Sequence, residues 1–329
     1  MDVAPATGWT ASAAPTIDAS APLIVSRGLT KRYGNVTALD ALDLELAPGV
    51  IGLVGANGAG KSTFIKLLLG LLEPTSGSAH VMGLDVASDG PALRQFVGYM
   101  PEHDCLPPDA TATEFVAHMA QISGLPRAAA RERTSEILRH VGLFEARYRQ
   151  INGYSTGMKQ RVKLAQALVH DPRLVLLDEP TNGLDPQGRD EMLVMIRRIG
   201  TEFGVAVILS SHLLSEIERV CDHLVEIEDG RLARSAPMAE LTAATSDLVV
   251  EVEGDSAALA GYLRNRGATA EQRGRYLLVH HTNDDVFDWI RDGVVEHDMG
   301  LIRLERSRRR LEELFDVEPA AAGGGGARG

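Results

Sequence analysis

Gly55-Ala56-Asn57-Gly58-Ala59-Gly60-Lys61-Ser62-Thr63 reads G-x-x-x-x-G-K-[ST], the pattern of a phosphate-binding loop. The apolar run Val50 to Val54 precedes it and reads as a buried strand. Phe64-Ile65-Lys66-Leu67-Leu68-Leu69 follows and reads as a helix. Glycines let such a loop wrap tightly and turn its N–H groups inward as a nest for phosphate oxygens. The helix adds free N–H groups and the positive end of its dipole. Lys61 is placed to reach the outer phosphates, and the Ser62 hydroxyl to join a magnesium shell. A tight turn with chance glycines would give the same letters, but strand, loop and helix signals agree.

The chain has 329 residues, enough for about two domains. Its net charge of −12 argues against a dedicated nucleic-acid surface, which needs clustered Lys and Arg. Arg308-Arg309-Arg310 is the dense basic run, and Leu311, Leu314 and Phe315 at helical spacing make it the solvated side of an amphipathic helix. Cys105 and Cys221 form neither a metal nor a disulfide pattern, which fits a reducing cytoplasm. There is no apolar run of membrane-spanning length and no secretory signal pattern, so work at a membrane would mean docking to another protein.

Residues 1–21, rich in Ala, Pro, Ser and Thr, read as a disordered segment. Strands are expected from Leu23, through Leu42, Leu44 and Leu46, and at Phe96 to Met100. Tyr33 reads either as packing or as a platform for a purine ring. From about Thr111 to Val169 the period turns helical, which suggests an insertion into the nucleotide core. Asn152-Gly153-Tyr154-Ser155-Thr156-Gly157 leads into a helix, Met158 to His170. Ser155 or Thr156 is either its cap or part of a second anion site.

Leu174 to Leu177 reads as a central parallel strand ending in Asp178 and Glu179, where open α/β sheets place ligands. Asp178 suits magnesium, and Glu179 suits accepting a proton from an attacking water. Alternation along a strand would point the two in opposite directions. Val205 to Leu209 is a further buried strand, ending at Ser210-Ser211-His212, where His212 is placed to sense a phosphate.

These motifs, with Asn182-Gly183-Leu184-Asp185, resemble an ABC-type ATPase over residues 23–235 in order and spacing. More narrowly, Gly98-Tyr99-Met100-Pro101-Glu102 and Tyr154-Ser155-Thr156-Gly157-Met158-Lys159-Gln160 resemble the ATP-binding subunits of bacterial type-two ABC exporters. The resemblance implies a P-loop cassette of about residues 22–237, with a β-rich N-terminal subdomain and a helical insertion at about 103–170. It implies ATP and Mg2+ as cofactors, a second copy of the chain, and a separately encoded membrane permease that holds the protein at the inner face of the cell membrane. Tyr33 would stack on adenine, and residues 55 to 63, Gly55, Ala56, Asn57, Gly58, Ala59, Gly60, Lys61, Ser62 and Thr63, would hold the phosphates. Ser62 and Asp178 would serve magnesium, Glu179 would activate water, and His212 would touch the γ-phosphate. Ser155 and Gly157 would close on the ATP of the second subunit, with Asp185 at the seam.

The sequence departs from the family at two places. Glu102 stands where many relatives have Gln; it could still accept a hydrogen bond from a metal-bound water. Thr156 replaces a common glycine, which is tolerable if the local φ suits it. Two rival readings are a soluble ABC ATPase acting on ribosomes or DNA and a nucleotide-gated module that does not turn over. One phosphate loop without heptads or Cys clusters disfavours the first. The intact set of Lys61, Asp178, Glu179 and His212 disfavours the second.

Residues 240–317 read as a separate unit. Strands are expected around Leu248 to Val252, weakly at Ala268 to Gln272, at Tyr276 to Val279, and within Val294 to Leu304. Helices are expected at Ser256 to Asn265, at Asp284 to Arg291, and from about Ser307. This order resembles a split β-α-β, ferredoxin-like α+β unit. Similar exporter subunits carry C-terminal additions of this kind, and that resemblance implies a dimer-steadying or regulatory role. His280-His281 lacks further ligands at metal spacing and reads as a strand end. The Gly-rich tail, 318–329, reads as disordered.

Overall fold

A computed structural model describes residues 22–280, 285–308 and 311. The expected N-terminal segment, Gly-rich tail and most of the basic run lie outside these residues. The chain divides into two compact units, Met1–Pro237 and Met238–Gly329.

In the first unit, β1 (Ile24–Tyr33) and β2 (Val36–Leu46) pair antiparallel. β3 (Val50–Val54) runs into the phosphate loop and α1 (Lys61–Leu68). β4 (Ser76–Val81), β5 (Leu84–Asp85) and the short α2 (Gly90–Leu93) follow. β6 (Val97–Met100) leads to α3 (Ala112–Ile122), α4 (Arg127–His140) and α5 (Thr156–Leu168), the helical insertion. Then come β7 (Leu174–Asp178), α6 (Pro186–Thr201), β8 (Ala206–Ser210), α7 (Leu214–Val220), and the hairpin β9 (His223–Glu228) and β10 (Arg231–Pro237). Asp229 (φ 47°) and Gly230 (φ 79°) make its two-residue turn, with positive φ at both positions as a primed hairpin turn requires.

One sheet, in order β2-β1-β4-β5, is antiparallel. The other, β10-β9-β3-β8-β7-β6, is parallel apart from its hairpin edge. Every residue of β3, β7 and β8 is buried, as unbroken apolar runs covered on both faces require. Phe64, Ile65, Leu67 and Leu68 of α1 share the core with Ile51, Leu53, Leu176 and Ile208. The ends of β3, β7 and β8 therefore deliver the phosphate loop, Asp178 and Ser210 to one edge of the sheet.

α4 begins at Arg127, directly after Pro126, and runs through good helix formers. α3 starts with a reciprocal capping box between Thr111 and Glu114.

The second unit opens with α8 (Met238–Leu241) and β11 (Ala244–Glu253). It continues with α9 (Ser256–Asn265), β12 (Thr269–Arg273), β13 (Tyr276–His280), α10 (Asp285–Glu296) and β14 (Gly300–Arg308). The sheet order β12-β13-β11-β14, antiparallel throughout, is the ferredoxin-like arrangement. Leu248, Val250, Leu259, Leu277, Val279 and Ile290 fill its core. Two boundaries differ from expectation. α10 runs to Glu296, because Val286, Ile290 and Val294 all bury at helical spacing, so Val294 belongs to the helix. β14 runs through Arg308, so the expected helix does not begin at Ser307; Leu311 is helical and buried, and the residues on either side of it lie outside the described ones.

Candidate nucleotide site

The loop after β3 closes by backbone geometry. Gly60 takes φ 110°, and a Cβ there would lie 2.5 Å from the Ala38 carbonyl oxygen and 2.8 Å from Leu39 Cδ2. Only glycine satisfies both the angle and the space. Lys61 follows as the first residue of α1 and is buried. Its ammonium donates to the carbonyl oxygens of Gly55 (2.7 Å) and Ala56 (3.2 Å).

At the end of β7, Asp178 Oδ1 accepts hydrogen bonds from Ser62 Oγ at 3.2 Å and from Ser210 Oγ at 2.8 Å. Ser210 Oγ in turn accepts from the Glu179 amide at 2.9 Å. Strand alternation does not govern the two carboxylates, because β7 ends at Asp178 and Glu179 turns out of line with φ 49°; Asp178 meets Ser62 while Glu179 meets His212. That left-handed conformation costs a non-glycine residue about 1–2 kcal/mol. Such strain clusters at functional sites.

The Glu179 carboxylate lies 2.9 Å from His212 Nδ1. An ionised carboxylate only accepts, so Nδ1 carries the hydrogen in this pair. Burial pushes the Glu179 carboxyl above its ordinary range, and the His212 bond acts against that push. The buried Glu216 ties the surrounding segments together. Its Oε2 accepts from Thr181 Oγ1 and Ser211 Oγ, each at 2.8 Å, and its Oε1 lies 3.3 Å from Arg189 Nε.

A cleft of about 480 Å³ brings these elements together. Asn57, Gly58, Gly60, Lys61, Ser62 and Thr63 line one side, with Glu102, Glu179, Asn182 and His212 facing them. Glu102 Oε1 accepts from Asn182 Nδ2 at 3.5 Å. Tyr33 is outside this lining; it stands half exposed at the end of β1, with Lys31 Nζ 5.3 Å from its ring centroid.

Ser155, Gly157 and Asp185 line a second cleft of about 630 Å³. Ser155 caps α5, accepting from the Met158 amide at 3.3 Å, and Asp185 caps α6, accepting from the Gly188 amide at 2.9 Å. Thr156 is the first residue of α5 and has no positive φ, so the backbone accommodates its departure from glycine.

Sequence reading missed Ser210, Asn182, Glu216 and Lys163. Ser210 had a signal, since it directly precedes Ser211-His212 at a strand end. Lys163 had none, because its partners are main-chain carbonyls.

Magnesium fits the donors present. Ser62 and Asp178 offer oxygens 3.2 Å apart. Among the described residues, no group of three or more His, Cys, Asp or Glu is arranged to hold a metal. Mg2+ needs no such cage: it takes one or two carboxylates together with substrate phosphates and water.

A parallel sheet with a phosphate loop and an acid–imidazole pair facing it defines a P-loop nucleotide hydrolase with a helical insertion. The description "ABC transporter" matches residues 39–182. The uncharacterized ABC transporter ATP-binding protein YdbJ of Bacillus subtilis is 31% identical over 295 residues, covering 89% of this chain and 94% of that protein. The Nod factor export ATP-binding protein I of Ralstonia nicotianae is 33% identical over 300 residues, covering 90% and 93%. The solved structure of cbiO1 from Clostridium perfringens, part of the ABC transporter complex cbiONQ, matches with TM-score 0.62 at 26% identity, covering 67% of this chain and 90% of that one. The chain belongs to the ABC transporter ATP-binding proteins and is an ATPase of that family. Among its described residues, no helix is long and apolar enough to cross a membrane.

Proposed function

We propose that this ATPase works as a homodimer on the inner face of the cell membrane and drives export through a separately encoded integral membrane permease. Its catalytic unit is the first cleft. The observation that carries this reading is the Glu179–His212 pair, 2.9 Å apart, facing Lys61 and Ser62 across that cleft. Support for export comes from the Nod factor export relative, aligned over nine-tenths of the chain.

The residues divide the work as follows. Tyr33 stacks on the adenine of ATP. The amides of residues 55 to 63 and the Lys61 ammonium hold its phosphates, the ammonium exchanging its loop carbonyls for phosphate oxygens. Ser62 and Asp178 would hold Mg2+, and Glu102 would accept a hydrogen bond from its water shell. When bound, the ion neutralises charge on the β- and γ-phosphates. Glu179 takes a proton from the attacking water, whose oxygen bonds to the γ-phosphorus while the bond to the ADP oxygen breaks. A carboxyl pushed up by burial suits that proton transfer. His212 orients Glu179 and contacts the γ-phosphate. Ser155 and Gly157 close on the ATP of the other subunit, beside Asp185. The ferredoxin-like unit steadies the dimer or regulates it.

The test is a pull-down from native membranes in mild detergent. The expected result is a stoichiometric polytopic membrane protein co-purifying with the tagged chain. Recovery only from the soluble fraction, with ribosomal or DNA-associated proteins, would overturn the permease reading and leave the ATPase standing.

A further inference from the structure

β6 is the last strand of the six-stranded sheet. The carbonyls on its free edge, at alternate residues, need donors from elsewhere. One face of α5 and the turn after it supplies them. His170 Nε2 donates to the Val97 carbonyl at 3.3 Å, and Gln166 Nε2 to the Tyr99 carbonyl at 3.3 Å. Lys163 Nζ donates to the Pro101 carbonyl at 2.7 Å. Two residues along a strand advance about 6.6 Å. Three or four along a helix advance about 5 Å. The antiparallel run of α5 therefore stays in step with β6 over these three contacts. Their close approach depends on Gly98, where a Cβ would lie 1.9 Å from the Ala167 carbonyl oxygen.

Lys163 extends this ladder past the strand. Its ammonium also donates to the carbonyls of Glu102 at 2.9 Å and His103 at 3.4 Å. An ammonium has three protons and accepts nothing. Three consecutive carbonyls use all three, and the side chain is only 3% exposed. Nearer the start of α5, Lys159 meets Asp104 at 3.4 Å. The segment carrying Glu102 is thus pinned to the helix whose first turn holds Ser155 and Gly157.

We propose that Lys163 is the positioning residue for Glu102: by bonding three successive main-chain carbonyls, its ammonium sets where the Glu102 carboxylate stands in the cleft that holds Ser62. It thereby joins the metal side of the cleft to α5. This rests on the reading of Glu102 as a group that accepts from metal-bound water.

The test uses the full chain and Lys163→Met, which keeps length and removes the donors. Mn2+ is titrated in the presence of a non-hydrolysable ATP analogue and followed by electron paramagnetic resonance. Wild type, Lys163→Met, Glu102→Ala and the double variant are compared. Outer-shell groups typically change metal affinity by about 10–100-fold. Each single variant should weaken Mn2+ by about tenfold at the low end of that range, and the double variant no further, since residues acting through one group are not additive. Amide exchange of the 102–106 segment should quicken in Lys163→Met, with that of β7 unchanged. Unchanged Mn2+ affinity in Lys163→Met, or a shift that adds in full to that of Glu102→Ala, reduces Lys163 to structural support and overturns the proposal. Unchanged affinity in Glu102→Ala itself removes the metal reading of Glu102, and the proposal with it. If Lys163→Met is recovered unfolded, Lys163→Gln carries the test, because it keeps two N–H donors on a shorter stem. An intermediate loss is expected there, and wild-type affinity overturns the proposal.

Discussion

Glu179 is buried, bonded to one imidazole, and held in a left-handed backbone conformation. Burial favours its neutral form. A base must be ionised, so the rate should rise with pH through a value above the ordinary glutamate range. Glu179→Gln should lower turnover by about 10²–10⁴-fold, the scale of a general base. A phosphate-release assay across pH reads both effects, and wild-type turnover in the variant would remove Glu179 from the role. The same burial has a consequence for stability. A carboxyl whose folded pKa is raised contributes stability that is present below its unfolded pKa and lost as pH rises through its folded one. At neutral pH the ionised side chain therefore works against the fold. Glu179→Gln should melt above wild type at pH 7, with the gap closing as pH falls to about 4, the ordinary glutamate value. Scanning calorimetry at the two pH values checks this.

Above single residues, the elements hold the site through contacts that carry no motif. Glu216 on α7 gathers Thr181, Ser211 and Arg189, which flank the Glu179 and His212 segments and α6. Arg189 is partly exposed, so its pairing with Glu216 is screened, and the loss falls on the two buried hydroxyls left without an acceptor, at about 1–3 kcal/mol. Glu216→Ala should lose stability on that scale in denaturant. It should also lower kcat more than it raises KM, because it loosens the Glu179–His212 pair and leaves the phosphate loop intact. Unchanged kcat in the folded variant would confine Glu216 to structure. Gly98→Ala tests the seam between β6 and α5. Its Cβ would meet backbone, so the strand must shift, at about 1–3 kcal/mol. These examples mark where sequence reading stops. Asp178, Glu179 and His212 were legible, because sheets of this kind put ligand groups at strand ends. Glu216 and Lys163 were not, because hydroxyls and carbonyls brought together by topology leave no spacing pattern. The sequence predicts a shorter α10 because polar residues obscure its third apolar turn at Val294.

At the scale of the molecule, the longer strands and helices were legible in both units, since hydrophobic period distinguishes strand from helix even where boundaries slip; the short α2, α7 and α8 were not, because fewer than two turns show no period. Lys61 and Glu179 line one cleft; Ser155, Gly157 and Asp185 line another. In the proposed homodimer each is a half-site, and a two-fold axis would give each half its complement, since an isologous pairing brings the same two patches together twice. A slow hydrolyser should trap that state. Glu179→Gln with Mg2+ and ATP should therefore sediment as a dimer, and without ATP as a monomer. The second cleft then admits a discriminating change. A Cβ on Gly157 would make only ordinary van der Waals contacts, the nearest being Leu184 Cδ2 at 3.7 Å. An aspartate fits there and sets a carboxylate against an incoming phosphate. Glu179→Gln/Gly157→Asp should still bind ATP at its own first cleft, with an affinity close to that of the parent monomer, yet remain a monomer. If it dimerises as readily as Glu179→Gln alone, Gly157 does not form the seam. If ATP binding itself is lost, the two clefts are not independent half-sites, and the two-fold reading fails.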